Sequence, residues 1–219
     1  MGKDLIEEMY INKNENYFSL ERQIFKNAVT SSNLKILDIG CGTGILGAYF
    51  KKMQNCTVYG VEINESAYRE AIVNLDKVIK GNIELIELPF DKSSFDIIIM
   101  GDVLEHLINT ISSLKKLQYY LKDEGRILIS VPNIRHWKIM LKLLFQDSWK
   151  YEPSGILDYT HMRFFTKKSL IELLNDNNIN VSFSERVIQK KSKSYYFNIL
   201  TFKLFSGFLA SHTYIELKK

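Results

Sequence analysis

Between residues 38 and 44 the chain reads Asp38-Ile39-Gly40-Cys41-Gly42-Thr43-Gly44. Three glycines at alternate positions let a backbone turn sharply and lie flat against a ligand, with no Cβ in the way. A tight turn alone needs one such glycine; three point to a nucleoside-type ligand at the end of a strand. Glu62 follows Gly42 by 20 residues, the spacing at which an acid holds ribose hydroxyls. A second group, Asp102-Val103-Leu104-Glu105-His106, joins acid to imidazole, a pairing that tunes a proton acceptor near neutral pH. A third, Tyr159-Thr160-His161-Met162-Arg163-Phe164-Phe165, sets an imidazole and a guanidinium among aromatics. His106 and His161 are therefore candidate bases, with His106, Tyr159, His161 and Arg163 as candidate acceptor contacts. Plainer roles stay open: His106 packing beside the ligand, Arg163 in a structural ion pair, and Phe164, Phe165 and Leu170 docking a surface segment while Thr166 caps the next helix. His136 and His212 read as ordinary core or surface residues.

The elements that must position these groups follow from periodicity. Short apolar runs alternate with helical patterns from residue 34 onward, the signature of a mostly parallel α/β sheet. Strands are predicted at Leu34–Ile39, Thr57–Val61 and Lys77–Ile79. The near-continuous apolar run Phe95–Met100 predicts a strand covered on both faces, and Arg126–Val131 predicts a fifth, stopped by Pro132. Helices are predicted over about residues 45–53, 65–75 and 110–121. The rhythm breaks over 133–165, read as a cap inserted beside the ligand cleft, with a helix-like stretch at His136–Phe145. A helix near 167–177, a strand near 180–188, a helix over about 195–210 and a last strand at Thr213–Leu217 complete the chain. Residues 1–30 look helical, and the whole, 1–219, reads as one domain.

Gly42-Thr43-Gly44-Ile45-Leu46-Gly47 also fits the dinucleotide fingerprint. Its third glycine, however, falls inside the predicted helix, and the Tyr214/Lys218 pair that a short-chain dehydrogenase would use falls in the terminal strand. Asp38–Gly44 instead resembles motif I of the class I S-adenosylmethionine-dependent methyltransferases. Glu62 matches that family's acid after the second strand, Phe95-Asp96-Ile97-Ile98 its fourth-strand motif, and Gly125–Pro132 its fifth strand. The resemblance runs in order from about residue 33 to 132, and two final strands suit the family's reversed terminal hairpin. The Glu105-His106 pair is similar to one in ubiquinone-type O-methyltransferases. Leu157–Thr166 and Val131–Trp137 resemble bacterial methyltransferases from surface-glycan gene clusters.

That resemblance implies a three-layer Rossmann-like fold, with a mostly parallel seven-stranded sheet, a reversed terminal strand and an inserted helical cap. It implies S-adenosylmethionine as cofactor. Glu62 would hold the ribose diol, and Gly40, Gly42 and Gly44 would line methionine and ribose. Asp38, Cys41, Ile63, Asp102 and Val103 would complete the set. Where the family commonly has an Asp near adenine this chain has Asn82, whose amide both donates and accepts. The acceptor implied is a small molecule or glycan, methylated on oxygen by analogy alone. Two alternatives stay open: a non-catalytic S-adenosylmethionine-binding protein, and a metal-dependent RNA 2′-O-methyltransferase. The second rests on a loose likeness of Asp102-x-x-Glu105-His106 plus His161 to that family's metal ligands, although the primary reading assigns no metal.

Composition narrows the classes further. The chain has 219 residues, 46% of them hydrophobic, and a net charge of +4, which suits a folded protein. Residues 186–219 hold seven Lys/Arg against one acid, Glu216; a nucleic-acid protein would show a broader basic face, so nucleic acid is not expected. Two cysteines make no disulfide framework, and Met1–Glu8 is too polar for a secretory core, which together suit a reduced cytoplasm. His136–Phe145 and Tyr195–Ala210 are apolar with interspersed lysines. The sequence favours burial of both within the fold, with contact to a membrane surface as the alternative. It does not indicate an oligomeric state.

Overall fold

The computed structural model describes residues 23–219. Residues 1–22, which include most of the helix expected over 1–30, lie outside the described residues. The first described helix is α1, Gln23–Ala28. There follow β1 Lys35–Ile39, α2 Ile45–Gln54, β2 Thr57–Glu62, α3 Glu65–Asn74, β3 Lys77–Lys80 and β4 Phe95–Gly101. A single 3₁₀ turn, Leu104–His106, precedes α4 Thr110–Tyr120 and β5 Leu121–Pro132. The remainder is α5 Trp137–Gln146, α6 Lys167–Asp176, β6 Val181–Val187, α7 Lys193–Leu200, α8 Ser206–Leu209 and β7 His212–Lys218.

One seven-stranded sheet runs in the order β3-β2-β1-β4-β5-β7-β6. β1 pairs in parallel with β2 and β4, and β4 with β5, whereas β7 lies antiparallel to both β5 and β6. The fold class read from the sequence is thus the one observed. Strand order turns back on itself between β1 and β4, and in open α/β sheets the crevice outside the strand C-termini at such a point binds ligands.

The middle strands are apolar on both faces because helices cover both. Leu37, Ile39, Ile98, Met100, Ile127 and Ile129 pack on one side with Leu114 and Leu117 of α4. Ile36, Ile97, Ile99 and Leu128 pack on the other with Leu46 and Phe50 of α2 and with Phe25 and Tyr214. Polar side chains buried at the edges are tied down. The Tyr214 hydroxyl donates to Glu216 Oε1 (2.8 Å), and Arg126 donates to Glu216 Oε2 (2.9 Å). Burial first, then the Glu216 carboxylate, pushes the Tyr214 phenol far up.

Asp96 fastens β4 to its neighbours, accepting the Lys35 backbone N–H (2.8 Å) and the Lys122 ammonium (2.7 Å). Burial works to raise its pKa, but the bonds from Lys122 and the Lys35 N–H outweigh it and hold the carboxyl below its ordinary value of 3.8. A carboxyl depressed in the folded state stabilises above its unfolded pKa and loses that contribution as pH falls through the folded one. Asp96→Ala is therefore expected to lower stability near neutral pH by about 1–2 kcal/mol. The gap between variant and parent should begin to narrow as pH falls below about 4. Urea melts at pH 7, 5 and 3.5 measure it; a gap that stays constant contradicts the assignment.

Three expectations need correction. The helix expected over 195–210 is two, α7 and α8. Phe202 and Lys203 take left-handed backbone (φ 50° and 64°), and Thr201 Oγ1 donates back to Phe197 O (2.8 Å), which competes with helix continuation. β5 starts at Leu121 rather than Arg126, because Leu121 pairs with Phe95 before the register jumps to Arg126 opposite Ile97. The helices α5 and α7 were expected to be buried, yet each turns most of its large apolar side chains outward. The 133–165 segment holds one helix, and its ends are pinned together where Ile134 N–H donates to Phe165 O (3.1 Å). Thr166 caps α6 as expected, through a capping box with Ser169.

Candidate active site

Glycine geometry builds the first wall. Gly40, Gly42 and Gly44 have φ of 66°, 55° and 78°, a region that L side chains resist. A Cβ on Gly40 would fall 2.6 Å from Val103 Cγ2, so the loops after β1 and β4 touch at that point. The loop is also tied to β2. Gly40 and Cys41 N–H donate to Val61 O (2.8 and 3.1 Å), and Gly42 N–H donates to Glu62 Oε2 (2.8 Å). Glu62 Oε1 takes the N–H groups of Ile63 (2.9 Å) and Asn64 (2.8 Å). The buried Glu62 thus grips the glycine loop directly, a role the spacing alone did not reveal. Asp38 is buried at the end of β1. The Cys41 side chain points into the core; a Cβ on Gly60 would meet its sulfur at 2.6 Å. Only the Cys41 backbone therefore belongs to the loop surface.

Asn82 closes a turn after β3, its Oδ1 accepting Glu84 N–H (2.9 Å); its amide nitrogen is the donor an adenine contact would use. Asp102 also has left-handed backbone (φ 55°). Its Oδ1 accepts from Ser130 Oγ (2.7 Å) and lies 3.7 Å from His212 Nε2. His212, set aside in the sequence as ordinary, reaches this rim because the antiparallel register places it opposite Pro132. No local spacing links residues 102 and 212; only strand order does.

The second wall is made by the 3₁₀ turn and the 133–165 segment. Met162 and Arg163 N–H both donate to Glu105 O (2.9 and 3.1 Å). Arg163 Nε and Nη2 donate to the carbonyls of Leu107 (3.3 Å) and Ile108 (2.6 Å). The guanidinium therefore clamps backbone, where an acceptor contact or a side-chain ion pair was expected. Buried Asp158 accepts Thr160 N–H (2.8 Å) and Oγ1–H (2.7 Å), shaping the turn that delivers His161. Tyr159 N–H donates to Glu152 O (3.0 Å), which holds Tyr159 in the same turn.

These contacts bring His106 and His161 together, with ring centroids 4.7 Å apart. His106 Nδ1 faces Thr160 O at 3.1 Å and His161 Nδ1 faces Ile156 O at 3.0 Å. A carbonyl only accepts, so each Nδ1 carries the proton and each Nε2 of the neutral ring is an acceptor. His161 Nε2 lies 3.9 Å from Glu105 Oε1. Ligand atoms of Glu105, His106 and His161 all fall within 4.8 Å of one another. Such a group stabilises a proton or a cation between its acceptors. Asp102, the remaining member of the metal set considered from sequence, is turned instead to Ser130 and His212. Phe164 lies 6.2 Å from His161, and Trp149 packs edge to face on Phe164 at 5.2 Å. Trp149 was not singled out in the sequence, since one aromatic in a polar loop carries no periodic signal.

A profile of the methyltransferase domain matches residues 13–182. The chain belongs to that family, the class I S-adenosylmethionine-dependent methyltransferases. Among curated methyltransferases, it is 27% identical over 173 residues to a ubiquinone biosynthesis O-methyltransferase of Bradyrhizobium diazoefficiens, covering 75% of this chain and 67% of that one. It is 30% identical to a mitochondrial one of Schizosaccharomyces pombe, covering 71% and 58%. With a further Bradyrhizobium relative the match spans 62% of the relative's length, so this chain corresponds to about three fifths to two thirds of these proteins. Two solved methyltransferases share the fold. One from Thermotoga maritima, described as a possible histamine N-methyltransferase, superposes with a TM-score of 0.65 at 19% identity, over 98% of this chain and 99% of that chain. One from Archaeoglobus fulgidus gives 0.63 at 20%, over 99% of each.

Membership in this methyltransferase family makes S-adenosylmethionine the cofactor, and the site suits it. The glycine surface has no room for a side chain at Gly40, and the acids Asp38, Glu62 and Asp102 end β1, β2 and β4 beside it. A carboxylate-rich, phosphate-free cradle matches a ligand that is a sulfonium cation with ribose hydroxyls.

Proposed function

We propose that this chain methylates an oxygen of a small-molecule or glycan acceptor. The reading is carried by the convergence of Glu105, His106 and His161 on the 3₁₀ turn that begins one residue beyond Val103, the residue in contact with the glycine loop. On this reading Gly40, Gly42, Gly44, Glu62, Ile63 and the Cys41 backbone hold methionine and ribose. Asn82 faces adenine, and Asp38, Asp102 and Val103 close the cradle. S-adenosylmethionine supplies, when bound, an electrophilic methyl group on positively charged sulfur. His161 Nε2 takes the acceptor hydroxyl proton, and Glu105 Oε1 beside it steadies the imidazolium. Asp158 and the Ile156 carbonyl keep the ring aimed. Phe164 shields His161 from water, and Tyr159 would contact the acceptor. Alignment of the reacting atoms can contribute about 7–11 kcal/mol, so the base refines a reaction that positioning already favours.

The likeness to ubiquinone O-methyltransferases supports oxygen as the methylated atom. The test is release of S-adenosylhomocysteine across a panel of phenolic and saccharide hydroxyl acceptors. Turnover with at least one is expected; tight cofactor binding with no turnover on any would favour a non-catalytic binder.

A second reading has its own observation, a nitrogen of each imidazole and the carboxylate gathered at ligand spacing, with each Nδ1 facing a carbonyl. That orientation is typical of metal-binding histidines. A divalent cation held there would bind the acceptor oxygen and lower its proton affinity. If this reading holds, chelation with EDTA lowers turnover at least tenfold and Mg²⁺ or Mn²⁺ restores it. Unchanged turnover after exhaustive chelation leaves the imidazole base.

A further inference from the structure

The two stretches expected to be buried hold more than half of the exposed large apolar side chains among the described residues. In the turn between α7 and α8, Phe202 is 89% exposed and Leu204 80%; at the end of α5, Leu144 is 73% exposed and Phe145 75%. Isolated exposed leucines are ordinary, but a run of large apolar side chains in one place marks a surface that meets something.

These stretches leave the sheet at the same point. α5 follows the end of β5 and α8 precedes the start of β7, and those strand ends pair through Pro132 and His212. Asn133 Nδ2 donates to Gly207 O (2.9 Å) and Ala210 O (2.8 Å), and the Arg135 guanidinium lies 4.6 Å above the Phe208 ring. The residues that lead into α5 are thus tied to α8, at the end of the sheet that carries the candidate site.

Charge identifies the occupant. Residues 186–215 contain Arg186, Lys190, Lys191, Lys193 and Lys203 and no acid, and all five cations are exposed. α5 adds exposed Lys138 and again no acid. Between Glu185 and Glu216 the exposed apolar side chains are accompanied by cations alone, which complements anionic headgroups above acyl chains. A second copy of the chain would bring the same cations against one another, and self-association has no such complementarity. No helix among the described residues is long and apolar enough to cross a membrane, so contact would be with the surface.

We propose that the α7–α8 turn docks this protein peripherally on an anionic lipid bilayer. Aromatic and leucine side chains enter the interface, and Lys190, Lys191, Lys193 and Lys203 bind the headgroups. The proposal is independent of the methyl-transfer reading, because the assay needs no turnover.

The test is flotation of the full chain with vesicles of phosphatidylcholine alone or mixed with phosphatidylglycerol, at low and high salt. Co-flotation with the anionic vesicles, weakened by salt, is expected. The double variant Phe202→Glu/Leu204→Glu and the triple variant Lys190→Glu/Lys191→Glu/Lys193→Glu should each lower the bound fraction roughly tenfold. Both should keep parental circular dichroism and S-adenosylhomocysteine affinity, since the substituted side chains are exposed. No co-flotation at low salt, or flotation unchanged in both variants, overturns the proposal. So does a sedimentation result in which the parent is a dimer that Phe202→Glu/Leu204→Glu dissociates while neither binds vesicles; the surface would then be a self-interface.

Discussion

Glu62→Ala is expected to weaken cofactor binding by roughly a hundredfold. The carboxylate accepts three backbone N–H groups, from Gly42, Ile63 and Asn64. Hydrogen bonds to a charged partner are each worth about 1.5–3 kcal/mol, and a buried donor left unmet costs about as much again. Water entering the gap recovers part of this, so a net loss of about 3 kcal/mol, or roughly a hundredfold in affinity, is a conservative expectation. The loss should be larger if Glu62 also holds ribose. Calorimetry with S-adenosylhomocysteine measures the affinity and thermal melting the accompanying loss of stability. Affinity within a few-fold of the parent would mean that Glu62 neither shapes the loop nor touches the ligand.

His161→Ala should lower turnover by roughly 10²–10⁴-fold, the usual contribution of a positioned base, with cofactor affinity within a few-fold of the parent. His161 contacts Glu105, His106 and Phe164, all in the second wall, which is why chemistry and cofactor binding should separate. Glu105→Gln keeps the side-chain shape but removes the charge beside His161 Nε2; it should lower turnover in the same direction and shift the acidic limb of the pH–rate profile downward, since the imidazolium loses its stabilising neighbour. His106→Ala is the comparison: a smaller effect than His161→Ala places the proton on His161, an equal one favours a unit acting through both rings. Full turnover in His161→Ala and His106→Ala alike would remove both as bases.

The parallel half of the sheet and the glycine loop were legible because local constraints dominate there. A strand buried on both faces must be apolar throughout, as Phe95–Met100 is, and a backbone with three positive φ values selects glycine. The site beyond the loop was legible only in pieces. Glu105-His106 and His161 each stood out as residue types, but their meeting depends on Asp158, Thr160 and the Arg163 clamp. Those bonds to carboxylate and carbonyl oxygens leave no periodic mark. His212 was missed for the same reason: its place beside Asp102 is set by the register of β7, 110 residues along the chain. The exposed faces of α5 and α7 were misread because hydropathy records what a side chain avoids and says nothing about whether another element arrives to cover it. The break between α7 and α8 was hidden by side chains that suit a helix on both sides of two left-handed residues.

The cysteine beneath the glycine loop turns that loop into its own reporter. With the Cys41 sulfur lodged where a Gly60 side chain would otherwise stand, an alkylating reagent gains access only when the segment lifts away from β2. Labelling kinetics at that thiol therefore read out the opening equilibrium of the cradle directly. Ligand occupancy should slow the modification in proportion to saturation, giving a binding measurement that needs neither an acceptor nor catalysis.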